Sequence, residues 1–201
     1  MNLRQANLRQ SSFRQIVLVV GLLNLAYFGI EFAVALAIGS VSLFADSIDF
    51  LEDASINFLI VMALPWSALA RARVGMALAG ILFRPVLATL WMAWQKFAVP
   101  VPPAPLPLTL TGAGALAVNL SCALMLARFR SRGDSLTRAA FLSARNDALA
   151  NVAIVLAGFL TLATLSAWPD LIVGLGIAIL NADAARDVLA AARKEHAEAV
   201  P

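Results

Sequence analysis

Six runs of mostly apolar residues, most of about twenty residues or more, dominate this chain: Ile16–Ala37, Val41–Leu64, Val74–Val99, Leu108–Ala127, Ala139–Leu165 and Trp168–Ala185. A helix that crosses a bilayer needs about 20 such residues. Apolar residues make up 61% of the 201 and charged residues 13%, against roughly 45–50% and about 25% in soluble domains. A water-soluble globule of this length cannot hide that much apolar surface. The expected fold is an all-α membrane protein with six transmembrane helices. Gly39-Ser40, Pro65, the proline run Pro100–Pro107 and Arg128–Asp134 separate the first five spans. Pro169 opens the sixth, where a first helical turn tolerates its missing N–H. A single Cys excludes a disulfide framework, and the single His, His196, lies in a polar tail away from the core.

Charge sets the expected orientation. Arg4, Arg9 and Arg14 precede the first span; Arg71 and Arg73 join the second to the third. Arg128, Arg130, Arg132 and Arg138 join the fourth to the fifth, and Arg186, Arg193 and Lys194 follow the sixth. The alternate loops carry almost no base, Lys96 being the exception. The positive-inside rule therefore places both termini in the cytoplasm, as an even number of spans requires. On this reading residues 1–15 form a basic cytoplasmic segment, amphipathic along the headgroups or disordered. Residues 16–190 form the membrane domain, and residues 191–201 form a short cytoplasmic tail. The net charge of +3 is spread among loops and does not suggest nucleic acid.

The acids are out of place. Each ionised side chain at mid-bilayer costs about 2.5–3.5 kcal/mol on insertion scales and is a functional candidate by default. Between Gln15 and Ala70 there is no Lys or Arg, yet the segment holds Glu31, Asp46, Asp49, Glu52 and Asp53. At roughly 100° per residue, Asp46, Asp49 and Asp53 share one helical face. In the fifth span Ser143, Asp147 and Asn151 fall at i, i+4 and i+8, with Asn146 beside them. Asp46, close to the outer end, reads as a helix-end acid that is wet or paired with Arg84 or Arg145. Glu52 points away from the Asp53 face and reads as a partner for Arg84 or Arg145. Glu31 reads equally as a packing acid or as a pathway group. Asp49, Asp53 and Asp147 read as cation ligands, because carboxylates at i and i+4 can share one ion and a third from another helix completes the cage.

These residues resemble the cation diffusion facilitator family of divalent-metal/proton antiporters. The stretch Gly39-Ser-Val-Ser-Leu-Phe-Ala-Asp-Ser-Ile-Asp-Phe-Leu-Glu-Asp53 is similar to the family's Ser-x-x-Leu-x-Ala-Asp followed by His/Asp-x-x-x-Asp. The resemblance implies that Asp49 and Asp53 are metal ligands. In the fifth span Asp147 matches the second ligand of His/Asp-x-x-x-Asp-Ala-Leu, and Ser143 stands where the first belongs. Weaker echoes are Glu31, Val118-Asn119-Leu120 and Trp168-Pro-Asp-Leu-Ile-Val-Gly174. Three departures stand out. Ser143 replaces a usual His or Asp, and Asn146 or Asn151 can substitute through an amide oxygen. Asp49 stands where zinc members have His, leaving oxygen ligands that suit Mn²⁺, Mg²⁺ or Fe²⁺ better than Zn²⁺. The family's cytoplasmic ferredoxin-like domain has no counterpart before the chain ends, eleven residues after Ala190.

The expected function is therefore efflux of a divalent cation (Mn²⁺, Zn²⁺, Fe²⁺, Co²⁺ or Cd²⁺) by proton-coupled alternating access, with no cofactor. Metal and protons compete for the same carboxylates, in a multi-pass protein of the bacterial inner membrane. The resemblance also implies a homodimer, held here by lipid-embedded surfaces; Gly75, Ala77, Ala79, Gly80, Gly174 and Gly176 are candidate contacts, or serve packing within one protomer, the reading favoured for Gly174 and Gly176. One alternative is a non-transporting homologue that assembles with a partner. Another, an intramembrane aspartyl enzyme, is disfavoured because no Gly-x-Gly-Asp element occurs and the acids follow ligand-like spacing.

Imidazole binds zinc better than a hydroxyl does. Ser143→His is therefore expected to raise zinc affinity, read by calorimetric titration of the purified protein. Unchanged zinc binding would mean that position 143 does not face the cage.

Overall fold

The computed structural model describes residues 3–63, 70, 73, 86–127 and 135–199, with side chains over 13–62, 70, 73, 86–127, 146–183, 186 and 189–190. Among them every regular element is a helix: α1 (Leu3–Ile38), α2 (Val41–Ala63), α3 (86–98), α4 (Pro105–Ala127), α5 (Ser135–Thr164) and α6 (Trp168–Ala199). The basic N-terminal residues join α1, which runs unbroken for 36 residues. At 1.5 Å per residue that is roughly 54 Å, well beyond a hydrocarbon core of about 30 Å.

Among the described residues, three helical stretches are long and apolar enough to cross a membrane: Phe13–Ile38, Pro105–Ala127 and Asn146–Thr164. Six spans were expected. α2 falls short by composition because Asp46, Asp49, Glu52 and Asp53 interrupt its apolar sequence. For α3 the described helix begins at residue 86, so most of the expected third span, Arg84 included, lies outside the described residues.

The distribution of polarity is inverted relative to a soluble bundle. Leu22, Ile30 and Leu36 on α1, Leu110 and Leu124 on α4, Leu156 and Phe159 on α5, and Ile172 and Ile179 on α6 are all exposed. Asn24, Glu31, Asp46, Glu52, Asn119, Asn151, Asp170 and Asn181 are buried. Such a surface is stable only against lipid, and its polar interior is where partners must be found. At one end Trp94, Phe97 and Trp168 form a ring cluster, Trp94 stacked on Phe97 and Phe97 edge-on to Trp168. Exposed aromatics grouped at helix ends suit the headgroup level of a bilayer.

The same end carries the tightest joint of the fold. α1 stops at Gly39, whose φ of +64° lies in the left-handed region, and the Ser40 N–H reaches back to Ala35 C=O at 3.0 Å. This is the glycine-terminated closure that satisfies the last carbonyls of a helix. Ser40 then caps α2: its Oγ accepts from Leu43 N–H at 3.2 Å. The two N–H groups still open, those of Val41 and Ser42, donate to the carboxylate of Asp170 at 2.9 and 3.1 Å. Ser40 and Ser42 hydroxyls both donate to Asp170 Oδ1 at 2.6 Å. Lys96 from α3 approaches Asp170 Oδ2 at 3.5 Å and donates to Gly39 C=O.

Close helix approach uses glycine. A Cβ at Gly112 would strike Ile154 on α5, and one at Gly158 would strike Thr109 on α4. Tyr27 of α1 lies over Gly114 and donates its hydroxyl to Thr111 C=O at 2.6 Å, fixing α1 against α4. On α6, a Cβ at Gly174 would fall 2.7 Å from Val41 C and Ser42 N, whereas one at Gly176 meets nothing within 4 Å. Gly174 is thus consumed by packing within the chain and Gly176 is not; Gly75, Ala77, Ala79 and Gly80 lie outside the described residues.

Gly174→Ala is expected to force α6 off the start of α2 and cost about 1–3 kcal/mol. Gly176→Ala should stay within about 0.5 kcal/mol of wild type. Thermal unfolding in detergent compares the two, and equal effects would contradict this packing.

Candidate metal centre

Positions 46, 49 and 53 lie along one face of α2, which packs against α1, α5 and α6. Asp49 and Asp53 are half-buried, and Asp147 comes from α5 to meet them. The Asp147 carboxyl lies against that of Asp53, and among its charged neighbours Asp49 feels Asp147 most strongly. The structure thus gathers the three carboxylates singled out by sequence around the α2–α5 contact. Among the described residues, no group of three or more Asp, Glu, His or Cys side chains is drawn tightly enough to hold a metal ion.

Residues that spacing alone did not reveal support this group. Asn24 of α1 donates its amide to Asp53 Oδ2 at 3.4 Å, and the Cys122 thiol from α4 lies 3.8 Å from Asn24 Oδ1. Asn24 precedes Glu31 by seven residues, so both share a face of α1, a signal that was available in the sequence. Asn57, one turn beyond Asp53, donates to the Asp53 carbonyl at 2.7 Å.

The other expected residues separate. Asn151 is fully buried, but both ends of its amide are engaged: Asn119 Nδ2 donates to its Oδ1 at 2.9 Å, and its own Nδ2 donates to Asp46 Oδ2. It therefore orients Asp46, with one of the two lone pairs of its oxygen taken by Asn119. Asn146 is on the exposed side of α5. The side chains of Ser143 and Arg145 lie outside the described residues.

Asp46 corrects the sequence reading. It is 0% exposed, covered by α1 and α5, and its carboxyl lies against that of Glu31, also 0% exposed. Proximity to a helix start does not make a residue wet when a tight turn folds the preceding helix back over it. Glu52 is buried beside Asp53. Lys96, the exception to the loop-charge pattern, is bound to Asp170 as described above. Acid in the first turn of a helix and a stray base near the end of the third span were both visible, but not that they meet across 74 residues of sequence.

Among the described residues this arrangement is rich in carboxylate and amide oxygens. Carboxylate and amide oxygens are the donor types that hard divalent cations take. Residues 17–195 match the family profile described as the cation efflux transmembrane domain. A comparison with curated proteins gives no match.

Proposed function

The chain belongs to the cation efflux family, and from that premise we propose that it exports a divalent cation in exchange for protons, by alternating access around Asp49, Asp53 and Asp147. A cation efflux transmembrane domain supports transport of a divalent cation across the membrane. The observation that carries the assignment of the site is the contact of Asp53 with Asp147 beside Asp49, where α2 meets α5. Two helices that each supply part of an ion's oxygen shell can open the site by parting and close it by meeting. Ser143 and Asn146 are the remaining donors proposed from α5; Asn151 acts one step back, through Asp46.

Exchange with protons follows from electrostatics. A divalent ion and protons neutralise the same carboxylates, so occupancy by one opposes occupancy by the other. The oxygen donors favour Mn²⁺, Fe²⁺ or Mg²⁺ over Zn²⁺. The proposed topology is six spans over residues 16–190 with both termini cytoplasmic, in a bacterial inner membrane, from the arginine distribution. The proposed assembly is a homodimer through lipid-facing helices, to which the open Gly176 face belongs. Native mass measurement in nanodiscs is expected to give twice the chain mass; a single monomeric species under mild conditions would remove the dimer but not the transporter.

Asp147→Ala is expected to abolish metal flux into proteoliposomes while the protein still elutes as a folded, monodisperse species. Transport at the wild-type rate by Asp147→Ala would overturn the proposed site.

A further inference from the structure

Glu31 and Asp46 form a second acidic centre that the α2–α5 site does not use. Asp46 precedes Asp49 by three residues, roughly 4–5 Å along the helix axis toward Ser40. Both side chains are fully buried, and their carboxyls lie against each other across the α1–α2 contact. Both ionised, two carboxylates have only acceptors to offer one another; a proton shared between them or a bound cation is needed to join them. Accordingly neither Glu31 oxygen, nor Asp46 Oδ1, has a hydrogen-bond partner among the described residues.

The donors close at hand are committed elsewhere. Tyr27, one turn along α1, gives its hydroxyl to Thr111 C=O, and Ser47 gives its hydroxyl to Phe44 C=O at 2.7 Å. Asn151 donates to the other Asp46 oxygen and is itself held by Asn119. Lys96, a buried base, is taken by Asp170 and Gly39. Three fully buried carboxylate oxygens of this contact therefore receive no hydrogen bond from any other group of the described chain. Like charges about 4 Å apart repel by about 4 kcal/mol at an effective dielectric of 20, and unpaired buried charge costs further desolvation.

We propose that Glu31 and Asp46 constitute a second binding position for a divalent cation, held by Glu31 Oε1 and Oε2 and Asp46 Oδ1 and distinct from the Asp49–Asp53–Asp147 site. A divalent ion cancels both charges at once, and an all-oxygen donor set suits a hard cation such as Mn²⁺. The Asn119–Asn151–Asp46 relay fixes the carboxylate as outer hydrogen bonds fix metal ligands generally. Because Asp46 and Asp49 share one face of α2, the second position lies next along the helix for an ion leaving the first toward the Ser40 end. The proposal rests on the cation-transport reading in that its occupant is the transported ion.

Equilibrium dialysis of the purified protein in detergent against Mn²⁺, with metal quantified by mass spectrometry, tests it. Wild type is expected to hold two ions per chain, Glu31→Gln one, Asp147→Asn one, and the double variant none, each confirmed folded by size-exclusion chromatography. Should Glu31→Gln fail to fold, Asp46→Asn, which keeps side-chain shape and the Asn151 contact, carries the same expectation. One ion in the wild type, or two retained in folded Glu31→Gln, overturns the second position and leaves the transport reading standing. A wild type that binds no Mn²⁺, Fe²⁺, Co²⁺, Cd²⁺ or Zn²⁺ overturns both.

Discussion

A single carboxylate, that of Asp170, joins the ends of three helices. It enters from the first turn of α6, receives the two N–H groups that Ser40 leaves open at the start of α2, and holds Lys96 of α3. A helix start buried in apolar surroundings needs such a partner, since its first N–H groups have none within the helix. The favourable meeting of negative charge with a helix N-terminus adds to the hydrogen bonds. Gly174, one turn along α6, lets the two backbones come close enough for the acid to reach. The height of α2 in the bundle is set there, and with it the height of every acid on the α2 face.

Helix association in such a chain cannot rely on expelling water from apolar faces, because lipid is as apolar as leucine. The exposed leucines of α1, α4, α5 and α6 are consistent with that solvent. What remains is close contact and polar exchange. Gly112 and Gly158 bring α4 and α5 together, Tyr27 ties α1 to α4, and the Asn119–Asn151–Asp46 relay crosses from α4 through α5 to α2. The interior is therefore specific rather than greasy, and its hydrogen bonds choose one arrangement among many that would bury similar area.

The helices and the acid-bearing faces were legible in the sequence because both follow from periodicity and hydropathy. The i, i+4 spacing of Asp49 and Asp53 and the lone acid Asp147 of the fifth span pointed to the same contact that α2 and α5 make. Span number was less legible: with four acids, α2 does not pass on composition, although it packs amid the others. Asp46 was misread because burial is a property of what covers a residue. Its cover comes from Glu31, fifteen residues upstream, and Asn151, 105 residues downstream. Lys96 and Asp170 were each anomalous by themselves, and only the closing of the bundle shows that each explains the other.

The connection between α1 and α2 consists of Gly39 and Ser40 alone. Glu31 stands eight residues before Gly39, and Asp46 six after Ser40, so both sit about 9–12 Å from the turn at 1.5 Å per residue. The hairpin thus works as a ruler: its brevity, more than any attraction between the side chains, brings two mutually repelling acids to the same depth. Since each added residue turns a helix by about 100°, lengthening this turn by one would swing Asp46 away from Glu31. It would also carry Asp49 and Asp53 off their common bearing toward α5. The length of an uncharged two-residue corner is therefore an electrostatic parameter of the protein's interior.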